Sequence, residues 1–135
     1  MPKPITPLEL GKPVCIVTGG SYGIGDAVCE KFNAHGYTVI NLDIKANPAQ
    51  AEAINWLKCD MSVASEVNQA IQQTIKQYGS VDCLVSNAGI HFSATIEDTS
   101  EEDFERVFAL NVKGAIAATK AVLGQMKTQQ NGVIL

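Results

Sequence analysis

The chain has 135 residues, 46% hydrophobic and 18% charged, which is globular composition, too apolar for a disordered chain and of a length for one ordinary domain rather than two. Its formal charge is −4, from 14 acids against 10 Lys and Arg, and no basic cluster stands out, so a nucleic-acid partner is not expected. No uninterrupted apolar run approaches the roughly 20 residues of a bilayer-spanning helix, so a membrane span is not expected either.

Residues 1–12 read as a tail ahead of a domain at 13–135. Four prolines (Pro2, Pro4, Pro7, Pro13) and no apolar stretch of signal-peptide type occupy the start. Val14–Thr18 is a short apolar run that ends in Gly19-Gly20, the pattern of a buried strand entering a tight turn. Ile24, Val28, Phe32 and His35 then recur at helical spacing until Gly36. Thr38–Leu42 is a second strand, 46–54 a loop or short helix, and Asn55–Cys59 a third strand. Ser62 is a candidate N-cap for a helix whose apolar stripe (Val63, Val67, Ala70, Ile71, Thr74, Ile75, Tyr78) ends at Gly79. Val81–Ser86 is a fourth strand. Ser100 with Asp103 resembles a capping box at the start of a long helix, from about Glu101 to Lys127. Its apolar residues, Phe104, Phe108, Ala115 and Val122 on one side and Val107, Leu110, Ala117 and Ala121 on another, predict burial on more than one face. Asn131-Gly132 is a turn, and Val133-Ile134-Leu135 begins a fifth strand within which the chain stops.

Strands alternating with helices of crossover length describe an α/β fold, a doubly wound parallel sheet of Rossmann-like type, truncated within its fifth strand. The four cysteines (Cys15, Cys29, Cys59, Cys83) show no C-x-x-C spacing and sit among apolar neighbours. They read as small buried hydrophobes in a reduced, cytoplasmic protein. His35 and His91 lack partners at ligand spacing, so no metal site is expected.

Three places point to a dinucleotide. The first strand feeds Thr18-Gly19-Gly20-Ser21-Tyr22-Gly23-Ile24-Gly25, which opens a helix. Glycine after the strand permits a turn at positive φ, and the helix N-terminus offers unpaired N–H groups and positive dipole to a pyrophosphate. Gly25 lets that helix lie close to the sheet. Asp43 ends strand two, 24 residues after Gly19, where a carboxylate accepts hydrogen bonds from the adenosine ribose hydroxyls and repels a 2′-phosphate, favouring NAD over NADP; Lys45 is positioned to soften that repulsion. Asn87-Ala88-Gly89 follows strand four, across the point where strand order reverses and ligands bind. His91, Phe92 and Ser93 come next and are candidates to border a substrate pocket.

Together these residues resemble the short-chain dehydrogenase/reductase family over nearly the whole chain, from about Lys12 to Leu135. Thr18-Gly-x-x-x-Gly-Ile-Gly25 is similar to its cofactor loop, and Asp43 to its NAD-selecting acid. Asp60, in Cys59-Asp60-Met61-Ser62, is similar to the acid that contacts adenine, and Asn87-Ala88-Gly89 to the Asn-Ala-Gly turn, with Ser86 where a second Asn is common. Asn111, in Asn111-Val-x-Gly114, is similar to the Asn that helps hold a water in the family's proton relay. By its surroundings, Asn111 also fits a polar residue bonding to backbone at a helix bend. The resemblance implies an NAD-dependent oxidoreductase that moves a hydride between cofactor and a small alcohol or carbonyl substrate. The candidate cofactor set is Gly19, Ser21, Gly23, Ile24, Gly25, Asp43, Asp60, Met61, Asn87, Ala88 and Gly89, with Asn111 as the catalytic candidate. The family's Tyr-x-x-x-Lys is not found: Asp26, Asn41 and Asp82 lie four residues after Tyr22, Tyr37 and Tyr78. The chain therefore reads as a cofactor-binding half, with an inactive dinucleotide-binding or interaction module, or a half-enzyme completed by another chain, as alternatives. The resemblance further implies self-association through helix 101–127.

Overall fold

The computed structural model describes residues 11–135, so all but the last two residues of the expected tail lie outside the described residues. The elements are β1 (Val14–Thr18), α1 (Gly23–Ala34), β2 (Thr38–Asp43), a 3₁₀ turn at Pro48–Gln50, β3 (Asn55–Lys58), α2 (Ala64–Tyr78), β4 (Cys83–Val85), α3 (Glu101–Phe108), a π-helical turn at Ala109–Lys113, α4 (Gly114–Gln129) and β5 (Val133–Ile134). The strands form one parallel sheet in the order β3-β2-β1-β4-β5. Chain order reverses at β1, which pairs with β2 on one side and β4 on the other, and this creates the switch-point crevice.

Side chains of successive strand residues point to opposite faces, and both faces of β1 are covered. Val14 and Ile16 join Ile40 and Leu42 beneath Val67 and Ile71 of α2 and Ala118 and Val122 of α4. Cys15 and Val17 join Val39 and Cys83 beneath Cys29 of α1. This two-sided burial is why β1 is an unbroken apolar run rather than an alternating one. The four cysteines are buried and unpaired.

Two local details differ from expectation. Ser62 is not the N-cap of α2, which starts at Ala64 behind Val63 with no side-chain cap. Instead the Ser62 hydroxyl and N–H both donate to Asp60 Oδ1, at 2.6 and 2.9 Å, an Asx-type turn that draws the side chain back along the chain. The capping residue of α3 is as expected: Ser100 Oγ accepts from the Asp103 N–H at 3.0 Å. The reciprocal arm differs, since the Asp103 carboxylate takes the Ser100 hydroxyl at 2.6 Å.

The long helix is not one regular α-helix. Its π turn holds one residue more than an α turn and rotates everything after it by about 100°. Phe104 and Phe108 therefore do not share a face with Val122. They stack at 4.3 Å and line up with Val112, Ile116 and Leu123 on an exposed stripe, while Gly114, Ala118, Val122 and Met126 face inward. Taken as one 29-residue element, Glu101–Gln129 is long and apolar enough to cross a bilayer by length and composition, although no uninterrupted run suggested it. In this fold its inner stripe packs against α2 and the sheet.

Candidate functional site

The crevice beyond the C-terminal ends of β1, β2 and β4 is an open groove of about 440 Å³. Gly19, Tyr22 and Ile24 line it from the glycine loop, Asp43 and Ile44 from the end of β2, and Cys59, Asp60 and Met61 from the segment after β3. Asn87, Ala88, Gly89 and Ile90 close it after β4, with Leu110 from the π turn. Stretches far apart in sequence thus meet at one crevice.

The glycine loop is shaped by contact as well as by conformation. Gly19 sits at φ +66°, and a Cβ there would meet Ala88 Cα at 2.9 Å. A Cβ on Gly25 would lie 2.1 Å from the Gly19 carbonyl oxygen and 2.7 Å from Asn87 Nδ2. The first turn of α1 therefore presses against the loop and the post-β4 segment at once. Tyr22, the N-cap of α1, makes no side-chain cap bond. The orphan N–H groups of that first turn are left beside the groove, the arrangement that receives an anion.

Thr18, the last residue of β1, joins the two sides. It is buried, and its Oγ1 accepts from the N–H groups of both Asn87 and Ala88 at 3.0 Å. Asn87 Nδ2 returns hydrogen bonds to the carbonyls of Thr18 and Gly19 at 3.1 and 3.0 Å. Asn111 lies in the π turn and grips Ile90 at both ends of its backbone. Its Oδ1 accepts the Ile90 N–H and its Nδ2 donates to the Ile90 carbonyl, each at 2.9 Å. The Asn111 amide is thus a backbone anchor across 21 residues rather than a bond within its own helix.

Asp43 projects from the end of β2. Its Oδ2 accepts the Ser21 N–H at 3.1 Å and its Oδ1 accepts the Lys45 N–H at 3.0 Å. The carboxylate is held by two backbone donors and retains lone pairs for ribose hydroxyls. Asp60 is held more locally, by Ser62, while its own N–H donates to Glu66 Oε2 at 2.9 Å.

Of the expected cofactor set, Gly19, Ile24, Asp43, Asp60, Met61, Asn87, Ala88 and Gly89 line the groove. Gly23, at φ +61°, and Gly25 shape the loop without lining it. Ser21 is wholly buried. Its hydroxyl donates to the Lys45 carbonyl and accepts from Asn41 Nδ2, so it faces the protein rather than the groove. The groove lining stops at Ile90, and Phe92 borders a separate hollow beside Phe104 and Phe108. Sequence reasoning placed Thr18 and Tyr22 in the glycine loop without giving either a role, and it missed Asn41, Gln50, Ile90 and Leu110. For Asn41 a signal existed, because a lone amide inside the apolar run Val39-Ile40-Asn41-Leu42 must find partners when buried.

The thiols near the groove are inert. Burial, then the charges of Asp26, Asp43 and Glu30, push Cys29 up to about 12. Burial, then Glu66 and Asp60, push Cys59 up to about 11. Both stay protonated at neutral pH, so neither supplies the groove with a thiolate nucleophile. The Tyr22 hydroxyl is engaged too, donating to the Ala46 carbonyl at 3.2 Å. Among the described residues no three His, Cys, Asp or Glu side chains converge as a metal-binding group.

The family model for short chain dehydrogenases matches residues 13–135. The chain is 36% identical to 2-(R)-hydroxypropyl-CoM dehydrogenase of Xanthobacter autotrophicus, covering 90% of this chain and 54% of that protein. Against (+)-borneol dehydrogenase 2 of Salvia officinalis it is 32% identical, with 96% and 49% covered. Among solved structures, ligand-free aldohexose dehydrogenase of Thermoplasma acidophilum superposes with a TM-score of 0.87 at 34% identity, covering 91% of this chain and 48% of that one. ElxO, solved with NADP bound, gives 0.83 at 27% identity, with 91% and 54% covered. The chain spans about half the length of the curated relatives it matches.

Proposed function

We propose, from the premise that this chain belongs to the short-chain dehydrogenase family, that it forms the dinucleotide-binding half of an oxidoreductase acting on an alcohol or carbonyl, and that its cofactor is NAD rather than NADP. The observation that carries the reading is the Asp43 carboxylate. It stands at the end of β2, fixed by the Ser21 and Lys45 N–H groups, on the wall of a groove that the glycine loop and Asn87–Gly89 complete.

The residues present fit such a cofactor. The uncapped first turn of α1 and the close-packed Gly25 would receive the pyrophosphate. Asp43 would accept the adenosine ribose hydroxyls and disfavour a 2′-phosphate. Asp60 and Met61 would border the adenine, and Asn87, Ala88 and Gly89 the nicotinamide side. When bound, the dinucleotide supplies the hydride acceptor or donor. Asn111 holds Ile90 in place beside that end, and a role for it in a proton relay belongs to this proposal. So does self-association through the outer face of the long helix, and so does a reducing, cytoplasmic setting. A small alcohol or carbonyl is the substrate class.

Calorimetry of the purified chain with NAD and NADP tests the reading. Saturable binding with NAD the tighter ligand is expected. Tighter binding of NADP overturns the Asp43 assignment, and binding of neither overturns the dinucleotide site.

A further inference from the structure

The buried polar groups behind the glycine loop form one connected cluster that the groove does not touch. Asn41, wholly buried in β2, accepts the Gly20 N–H on Oδ1 at 2.9 Å. Its Nδ2 donates to Ser21 Oγ at 2.9 Å and to Gln50 Oε1 at 3.0 Å. Gln50, 5% exposed in the 3₁₀ turn, donates from Nε2 to the Gly20 carbonyl at 2.7 Å and to Asp26 Oδ1 at 2.6 Å. Asn47, which opens the segment Asn47-Pro48-Ala49-Gln50, donates from Nδ2 to the Ser21 carbonyl at 2.8 Å. Ser21 is therefore held from behind by Asn41 and at its carbonyl by Asn47, while Gln50 ties the neighbouring Gly20 to the same loop.

We infer that Gln50 is a positioning residue for cofactor choice. It does not line the groove; it holds Gly20 and Asn41, and they hold the Ser21 peptide whose N–H fixes Asp43. The inference rests on the dinucleotide reading of the groove. A carboxylate kept in one place offers its lone pairs to ribose hydroxyls at no ordering cost and cannot swing away from a 2′-phosphate. A carboxylate freed from its donor loses part of the first advantage and part of the second. Ser21 also stays committed to Lys45 and Asn41, so its hydroxyl is not offered to a phosphate.

The test is Gln50→Met, which keeps the side chain's length and removes its hydrogen bonds, measured in the 135-residue chain by calorimetry with NAD and NADP. The expected result is a fall of about tenfold in the ratio of NAD to NADP affinity, the size of one lost hydrogen bond. Faster amide exchange at Ser21 should accompany it. A purely structural Gln50 would lower the melting temperature and leave the ratio unchanged, and a folded variant with an unchanged ratio overturns the inference while the dinucleotide reading stands. A wild-type chain that binds neither cofactor, or binds NADP tighter, overturns the reading and the inference together. If Gln50→Met does not fold, Gln50→Glu, which keeps the acceptor for Asn41 Nδ2 and removes the donor to the Gly20 carbonyl, reads the same ratio: narrowing supports the inference and no change overturns it.

Discussion

Thr18 shows how much one hydroxyl can organise. Its Oγ1 receives two backbone N–H groups from the segment after β4, so the glycine loop and Asn87-Ala88 are joined at a buried point. Thr18→Val keeps the shape and strands both donors. It should cost about 2–4 kcal/mol, read as a lower urea midpoint with an unchanged slope. Gly25→Ala acts through space instead. Its Cβ would fall 2.1 Å from the Gly19 carbonyl oxygen, and backbone on both sides must move. A loss of about 1–3 kcal/mol is expected, together with loss of dinucleotide binding in calorimetry. Undiminished binding would show that the loop tolerates a wider gap from α1. Gly25 was legible from its place in the motif. The burden on Thr18 was not, because a threonine at a strand end is ordinary until its partners, 69 and 70 residues away, are known.

Among the elements, the π turn determines what the long helix presents. Without it, Phe104, Phe108 and Val122 would share one side, as their spacing suggests. With it, Val122 is fully buried while Ile116 and Leu123 join the phenylalanines outside. Val122→Ala should therefore cost about 2 kcal/mol and Leu123→Ala much less, a contrast that chemical denaturation of the two variants resolves. Equal losses would contradict the register. The turn also sets Asn111 against Ile90, which links the bulge in the helix to one wall of the groove. A bulge of this kind leaves little trace in periodicity, since a single extra residue shifts the phase without breaking the pattern.

Across the folded chain as a unit, apolar side chains of the described residues face outward in several places, and two of these bear on association. One is the stripe of Phe104, Phe108, Val112, Ile116 and Leu123; the other is the edge strand β5, with Val133 and Ile134 exposed. Sedimentation of the chain should show concentration-dependent self-association, reduced by Ile116→Lys; a monomer over a wide concentration range would contradict it. Stability should also fall in alkali. Cys29 and Cys59 are raised from 9.0 to about 12 and about 11, so above pH 9 the unfolded chain loses thiol protons that the folded chain keeps. Their contribution is intact below pH 9 and falls by about 1.4 kcal/mol per pH unit per thiol as pH rises toward the folded values. Denaturation midpoints from pH 8 to 11 would read this, and replacing both thiols by alanine should flatten the trend. The βαβ alternation, the parallel sheet, the glycine loop and the acid at the end of β2 were all readable along the chain, because hydrophobic period, glycine placement and strand–helix order are local signals. Other features came into being only on folding: Ser21 turns inward, Asn41 and Gln50 brace the loop, Asn111 anchors Ile90, and the helix changes face at its π turn. Each of these depends on which distant backbone group lies within hydrogen-bond reach, and that is set only when the sheet closes and the helices dock.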